Sequence, residues 1–241
     1  MEINNGPSYM ERNARLKLLV FGYENVIARK GTDPTILLST MFGKDNAGII
    51  DSLVHDIRFR TLPEEALRYY VKDAVRETDM PVGQFISACT AIKTAGRKYS
   101  AMTSFLKHLR SLGLCRTAVM ADVSAFEKNV GYSLDTGLYD HIFLSYETGY
   151  IRPQIQAYRH VESMTEANGE NILLIDSSQD SLDSAKELGW HTCLVKNGDP
   201  SQIASECIEF LERWPAISPV QRQPDTISPD KRKNDEARKI G

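Results

Sequence analysis

Charged side chains that could do acid–base or anion-binding chemistry follow several apolar runs of this sequence. Glu24 comes shortly after the apolar run at residues 18–21, Asp122 follows a second run, and Asp176 ends a third. Carboxylates can donate or accept protons, and the guanidinium of Arg152, which precedes a proline, can hold an anion. Ligands of open parallel sheets bind at the carboxyl ends of the strands. The side chains are therefore predicted to meet at one edge of a sheet.

The elements that would position these side chains alternate along the chain. Short continuous apolar runs, typical of strands buried on both faces of a parallel sheet, occur at residues 18–21, 117–120, 142–144, 171–176 and 192–195. Amphipathic helices are predicted at residues 102–112, 125–132, 153–167, 179–188 and 201–214. This alternation is typical of βαβ units. The sequence therefore predicts an α/β fold with a Rossmannoid core and a parallel sheet.

A second unit, built only of helices, is inserted after the first strand. Apolar residues recur at helical spacing at residues 34–41, 47–59, 64–75 and 82–92. The third of these helices has a strong start signal, because Pro63 is followed by two glutamates that complement the helix dipole. The sequence predicts a small helical-bundle domain at residues 31–95 and a core domain made of residues 16–30 and 96–214.

Composition and charge narrow the function classes. Apolar residues make up 41% of the 241 residues and charged residues 25%, which is ordinary for a soluble globular protein. The net charge of −3 argues against a nucleic-acid-binding protein, whose footprint would be strongly basic. No apolar run approaches the roughly 20 residues that span a bilayer, and the polar start of the chain lacks the apolar segment of a signal peptide. We expect a cytoplasmic protein with no nucleic-acid or membrane partner.

The cysteines, the histidines and the chain ends add further expectations. The four cysteines lie in apolar segments without Cys-x-x-Cys spacing, so they are predicted to be buried and reduced. The five histidines are scattered without metal-ligand spacing, so no metal site is predicted. Residues 1–15 are predicted to be a flexible leader. Residues 215–241 contain four prolines and many charges, and are predicted to be a disordered tail.

The first strand and its loop resemble the first motif of the haloacid dehalogenase (HAD) superfamily. In that family a hydrophobic strand ends in Asp-x-Asp-Gly-(Thr/Val)-Leu. Gly22 stands where the family has its nucleophilic Asp, Glu24 stands at the second Asp, and Asn25 at the Gly. The resemblance therefore implies that the nucleophile is missing. It also implies that the carboxylate of Glu24 is displaced from the standard acid–base position, because Glu is one methylene longer than Asp.

Three later landmarks extend the resemblance to about residues 16–213. Ala121 stands at the Ser or Thr that donates a hydroxyl to the transferring phosphate, and Arg152 keeps the cation that precedes a proline in the third motif. Asp176 keeps one acid of the fourth motif, and Ser177 replaces the other. The helical unit corresponds to the C1-type cap of the family. A HAD-like Rossmannoid core with a helical cap is the fold that the resemblance implies.

The substitutions at these positions bear on the family's chemistry. HAD phosphatases attack with an aspartate carboxylate and hold Mg²⁺ with carboxylates of the first and fourth motifs. Glycine has no side chain to attack with, and Mg²⁺ prefers hard oxygen ligands in near-octahedral geometry. The residues at positions 22 and 177 thus imply that the ancestral chemistry is lost and that Mg²⁺ binding is lost or weak. We expect a metal-independent protein without a cofactor.

Three functional hypotheses remain open. The leading one is a repurposed small-molecule enzyme of isomerase, lyase or cyclase type, working in the cleft between core and cap. The second is a non-catalytic HAD pseudoenzyme that binds a ligand or a protein, and the third is a residual HAD-type hydrolase, either a phosphatase or a dehalogenase. A homodimer is also left open. For the leading hypothesis the catalytic candidates are Glu24 and Asp176, and the ligand-binding candidates are Gly22, Tyr23, Ala121, Asp122, Arg152 and Ser177.

Each charged candidate also has a purely structural interpretation. Glu24 could cap its loop or pair with Arg152, and Arg152 could form a structural salt bridge to Asp176, because a buried acid needs a partner. Asp176 could accept backbone N–H groups at a helix start, where Ser177 and Ser178 could serve as caps. Whether the chain is an enzyme depends on which interpretation holds.

Overall fold

A parallel five-stranded sheet forms the centre of the protein. The structure, a computed structural model, describes residues 17–29, 34–76, 78–94, 97–196 and 199–213. The strands are β1 (Leu18–Gly22), β2 (Arg116–Ala121), β3 (His141–Leu144), β4 (Ile172–Asp176) and β5 (His191–Leu194). They lie in the order β3-β2-β1-β4-β5, and every neighbouring pair is parallel. The central strand is therefore β1, whose carboxyl end carries Gly22 and the loop that follows it.

Helices of the core cover both faces of this sheet, and four further helices form the inserted unit. Those of the inserted unit are α1 (Pro34–Phe42), α2 (Ala47–Phe59), α3 (Glu64–Ala74) and α4 (Val82–Thr94). Those of the core are α5 (Ser100–Leu112), α6 (Lys128–Ser133), α7 (Ser145–Thr148), α8 (Ile155–Thr165), α9 (Gln179–Glu187) and α10 (Pro200–Glu212). Single helical turns occur at Lys44–Asn46, Ala125–Glu127 and Gly169–Asn171. The predicted α/β fold class is thus confirmed.

The continuous apolar run of β1 is explained by burial on both faces. Leu19 and Phe21 belong to the apolar cluster that α5 and α10 cover. Leu18 and Val20 point to the opposite face and belong to the cluster of α8 and α9. Because successive strand side chains alternate between faces, a strand covered on both sides needs apolar residues at every position.

The inserted helices form an apolar cluster of their own. Leu38 of α1, Ile50 of α2, Leu67 of α3 and Phe85 of α4 are all completely or almost completely buried in it. Phe126, from the turn before α6, belongs to the same cluster. The core therefore contributes an apolar anchor to the insert, and we refer to residues 34–94 as the cap.

Local signals predicted most elements closely but missed two features. The left-handed Gly113 (φ 63°) and Gly189 (φ 78°) end helices where expected, since glycine adopts positive φ without a steric penalty. The predicted helix at residues 125–132 is instead a single turn followed by α6. The short α7 was not predicted, because four residues are too few to establish a periodic pattern.

The remaining predictions concern the cysteines, membrane-spanning segments and the two ends of the chain, and some of them fall on residues outside the described ranges. Cys89, Cys115, Cys193 and Cys207 are buried and unpaired, as predicted. Among the helices that the structure describes, each is too short or too polar to cross a bilayer. The predicted leader at residues 1–15 and tail at residues 215–241 lie outside the described residues.

Candidate functional site

A tight loop continues β1 past Gly22. The N–H of Tyr23 donates to the carbonyl of Met120 at 3.0 Å, and the carbonyl of Tyr23 accepts from Ile27 N and Ala28 N, each at 3.0 Å. Asn25 adopts the left-handed conformation, with φ of 59°. Asn is one of the few residue types besides Gly that tolerates this conformation. Asn25 therefore replaces the motif's glycine without losing the turn.

An ionic cluster of three side chains, Asp122, Arg152 and Asp176, lies beside this loop. Arg152 donates from Nη2 and Nε to Asp122 Oδ2 at 2.8 and 3.0 Å, and from Nη1 to Asp176 Oδ2. Its backbone N–H also donates to Asp122 Oδ1 at 3.2 Å. The exposed fractions of the side chains are 6% for Arg152, 5% for Asp176 and 18% for Asp122. A guanidinium this deeply buried needs paired, hydrogen-bonded charges.

The charge state of this cluster follows from its geometry. Burial alone would lower the pKa of Arg152, but the carboxylates of Asp122 and Asp176 outweigh that effect and hold its pKa above the ordinary value. The guanidinium is therefore permanently charged, and both of its flanks are occupied by carboxylates. The predicted salt bridge between Arg152 and Asp176 is confirmed.

The second oxygen of Asp176 is also occupied. Oδ1 accepts the backbone N–H of Ser178 at 2.9 Å, and the Ser178 hydroxyl caps α9 by accepting from Ser181 N. These contacts confirm the predicted structural roles of Asp176 and Ser178 at a helix start. Ser177 does not cap the helix; its hydroxyl donates to the carbonyl of Glu24 at 3.1 Å and ties the two loops together.

The ionic cluster lies directly against the backbone of Gly22. A Cβ built on Gly22 would lie 2.6 Å from Asp176 Oδ2, 2.9 Å from Asp176 Cγ and 3.0 Å from Arg152 Nη1. Such approaches are shorter than van der Waals contact. Any side chain at position 22, including the family's aspartate, would therefore have to displace the Arg152–Asp176 pair.

Glu24 pairs with the cap instead of with the cluster. Arg58 of α2 donates from Nη2 to Glu24 Oε2 at 2.9 Å, and the two side chains are 34% and 23% exposed. The interpretation in which Glu24 pairs with Arg152 is thus wrong, because both flanks of that guanidinium are already taken by aspartates. Nothing in the sequence pattern distinguishes Arg58 from the neighbouring Arg60, so the residue that pairs with Glu24 could not be predicted from the sequence.

Two further polar contacts join the cap to the core, and with Glu24–Arg58 they form what we call the seam. Thr61 Oγ1 donates to the carbonyl of Gly149 at 3.1 Å, and Lys128 pairs with Glu64 Oε2 at 2.6 Å. The hydrogen bond from Lys128, followed by that from Arg68, lowers the pKa of Glu64. The seam contacts were all missed in the sequence, since each joins residues far apart along the chain.

The remaining predicted site residues line the apolar interior or a shallow pocket. Tyr23 and Ala121 are buried in the apolar cluster on the α5 and α10 face of the sheet. A pocket beside Asp122, also lined by Ser145 and His160, has a volume of about 10 Å³. That is about the space that one water molecule needs. The structure thus brings Gly22, Asp122, Arg152 and Asp176 together, and leaves Glu24 at the seam.

The residues at the motif positions do not fit a magnesium ion. Mg²⁺ demands several oxygen ligands in octahedral geometry. Gly22 and Ser177 offer no carboxylate, and both oxygens of Asp176 are already engaged, one of them by a cation. Across the described ranges, no group of three or more His, Cys, Asp or Glu side chains is arranged to hold a metal.

Solved structures resemble this chain across most of its length. No protein-family model matches it, and no curated protein matches it. A HAD family enzyme from Bacteroides thetaiotaomicron matches with a TM-score of 0.62 and 17% identity, covering 76% of this chain and 95% of that one. A predicted HAD-like hydrolase from Porphyromonas gingivalis matches with a TM-score of 0.63 and 16% identity, covering 80% and 98%. The chain has a HAD-like fold.

A third solved structure covers slightly more of this chain. The 2-haloacid dehalogenase of Pseudomonas syringae pv. Tomato matches with a TM-score of 0.58 and 12% identity, covering 83% of this chain and the whole of that one. At such low identities the likeness carries the fold and not the activity. The function has to be argued from the site itself.

Proposed function

We propose that this HAD-fold protein does not carry out aspartyl-nucleophile chemistry and acts as a non-catalytic scaffold that binds a partner. One observation carries the proposal: the space that a nucleophile at position 22 would need is occupied by Asp176 and Arg152. The change is thus more than one missing carboxylate. The side chains of Asp176 and Arg152 fill this space, and their buried ion pair occupies the position from which a nucleophile would attack.

The charge balance of the ionic cluster supports the same conclusion. Phosphoryl transfer needs positive charge placed against the phosphoryl oxygens. Here the one guanidinium is matched by two carboxylates, Asp122 and Asp176, so the cluster carries a net negative charge that repels a phosphate. The cation that the third motif supplies to an anionic substrate is therefore neutralised inside the protein.

Surface exposure supports a binding role. The first cap helix, α1, exposes the apolar side chains of Ile36 and Met41, each at 62%. Exposed apolar surface of this kind is typical of a protein-binding face.

A second candidate function rests on Glu24. Its carboxylate stays partly accessible between core and cap and is oriented by a cap arginine. Such a pair could transfer a proton in an isomerase, lyase or cyclase reaction on a small molecule bound in the cleft. This candidate keeps the predicted catalytic role of Glu24 and needs no metal.

The deciding experiment is hydrolysis of an aryl phosphate by the purified protein, with Mg²⁺ and with a chelator. We expect no turnover in either condition. Turnover that the chelator abolishes would overturn the proposal, because it would require a metal and a nucleophile in this site. Glu24→Gln is the matched variant, and any metal-independent turnover of a small molecule that this variant abolishes would establish the second candidate instead.

A further inference from the structure

The two linkers between core and cap pair with each other through residues 27–29 and 97–99. The N–H of Arg29 donates to the carbonyl of Arg97 at 2.9 Å, and a second hydrogen bond of 3.0 Å joins the other ends of the two segments. Ala28, in the middle of the first segment, is only 1% exposed. The backbone of both linkers is therefore fixed beside the loop that follows β1.

The register of this pairing places two arginines next to each other. Ala28 lies opposite Lys98 in an antiparallel bridge, so Arg29 lies opposite Arg97. Residues directly opposite each other in antiparallel segments share a face, with their Cβ atoms about 4.5–5.5 Å apart. Lys98 takes the other face, where its Nζ donates to the carbonyl of Ser133. We refer to Arg29 and Arg97 as the arginine pair.

The part of the chain that the structure describes does not neutralise the arginine pair. Both side chains are exposed, and across the described ranges neither forms an ion pair or a side-chain hydrogen bond. Glu24, in the adjacent loop, pairs with the cap instead. The arginines of the cap, by contrast, all pair with carboxylates within 3.4 Å: Arg58, Arg60, Arg68 and Arg76.

Two guanidinium groups in this arrangement have the chemistry of an anion-binding site. Like charges directly opposite each other in paired segments repel and are destabilising. An anion bound between them removes that repulsion, and a guanidinium binds the oxygens of a carboxylate through two parallel hydrogen bonds. Because the backbone that carries both arginines is already fixed, less entropy is lost on binding than at a flexible site.

Charge and size favour an acidic peptide over a nucleic acid as the bound anion. The net charge of −3 repels a long polyanion, and one pair of arginines provides little of the phosphate contact on which nucleic-acid affinity depends. A short run of Asp or Glu residues presents several carboxylates within reach of both guanidinium groups. Clusters of arginines are a recurrent means of recognising acidic peptide motifs.

We propose that the arginine pair, Arg29 and Arg97, binds an acidic segment of a partner protein. This inference rests on the proposed scaffold role and names one class of partner for it. The two proposals nevertheless fail separately, because the scaffold role is argued from Gly22 and α1 and the arginine pair lies on the linkers. Metal-dependent turnover of an aryl phosphate would overturn the scaffold role, whereas a lack of peptide binding would overturn only the present inference.

The test measures the fluorescence anisotropy of a fluorescein-labelled hexaglutamate peptide as the full chain is added. We expect binding that weakens as the salt concentration rises. Arg97→Glu is expected to weaken it by about tenfold or more, because one guanidinium is lost and the other gains a partner within the protein. Arg159→Glu, the same charge change at an exposed arginine of α8, is the matched control and should alter the dissociation constant by less than about twofold.

Thermal unfolding distinguishes lost binding from a disturbed fold. Arg97→Glu replaces a repelling pair by an attracting one, so its melting temperature is expected to equal or exceed that of the unaltered chain. If the melting temperature falls, Arg29→Glu makes the same exchange from the other linker and replaces it as the test variant.

Several outcomes would overturn the proposal. The peptide could fail to bind the unaltered chain, could still bind both Arg29→Glu and Arg97→Glu, or could be lost equally from Arg159→Glu. Tighter binding of a short oligothymidylate that Arg97→Glu abolishes would assign the arginine pair to a nucleic acid instead. Complete displacement of the peptide by inorganic phosphate at an equal concentration of charge would assign it to a small anion.

Discussion

Two sets of ion pairs in this protein use the same chemistry in different surroundings. In the ionic cluster the side chains of Asp122, Arg152 and Asp176 are between 5% and 18% exposed. At the seam the side chains that pair across core and cap are between 23% and 38% exposed. Both sets join elements distant in sequence, but only the first has lost nearly all contact with water.

Burial decides what each set contributes. A buried charge without its partner is strongly destabilising, so removing one member of a buried pair costs about 3–5 kcal/mol. An exposed pair contributes only about 0–1 kcal/mol, because water and salt compete with it. The edge of the sheet that carries the ionic cluster is therefore expected to be the rigid part of the molecule, and the seam the adjustable part.

The largest expected effect comes from Arg152→Met. It leaves Asp122 and Asp176 facing each other without a cation, and we expect the free energy of unfolding to fall by about 3–5 kcal/mol in urea titrations. Arg58→Met at the seam is the matched control. Equal effects of the two variants would break the distinction between the regions. Adding Asp122→Asn and Asp176→Asn to Arg152→Met is expected to recover part of the loss, because it removes the unpaired charges.

Gly22→Ala tests how tightly the cluster has closed. The new methyl group would lie 2.6 Å from Asp176 Oδ2, so we expect a loss of about 1–3 kcal/mol, the usual effect of overpacking. Gly48→Ala is the control, since nothing lies within 4 Å of its added Cβ, and there a gain of about 0.4–1 kcal/mol is expected. A neutral Gly22→Ala would mean that the ion pair moves aside freely.

A double-mutant cycle at the seam measures the coupling between Glu24 and Arg58. Glu24→Gln and Arg58→Met, alone and together, are expected to give a coupling of about 0–1 kcal/mol. That coupling should fade at 1 M salt, where the Debye length is about 3 Å. The destabilisation by Arg152→Met should change little over the same salt range. A seam coupling that salt does not alter would place Glu24 in the same class as the buried cluster.

The smallest expected effect is the pH dependence of the Glu64–Lys128 contact. The folded-state pKa of Glu64 is lowered, so its contribution to stability is present above the ordinary value near 4.5 and is lost as the pH falls through the lowered value. Glu64→Gln should therefore be less stable than the unaltered chain at pH 7, and this difference should shrink as the pH falls below 4.5. Thermal unfolding over a series of pH values measures the difference. A difference that does not change with pH would contradict the prediction.

The two regions also differ in how much of their geometry could be predicted from the sequence. The positions of the cluster were predictable, because motif spacing and the rule that ligands meet at the carboxyl ends of parallel strands bring β1, β2 and β4 to one edge. The Arg152–Asp176 pair could be named as an alternative on that basis. The seam could not, because Arg58 reaches Glu24 only after the cap has docked, and its contacts depend on the angle at which α2 crosses the core.

The sequence by itself determined the α/β alternation, the helical insert and the glycine at the carboxyl end of the first strand. Local periodicity and turn residues encode these features without help from the rest of the chain. Only the tertiary structure decided that Asp176 and Arg152 lie against Gly22, and that Glu24 pairs with Arg58 of the cap. The reason is that a charged side chain pairs with the partner that lies nearest to it in the folded protein. Packing of the whole chain determines which partner is nearest, and no single segment of the sequence contains that information.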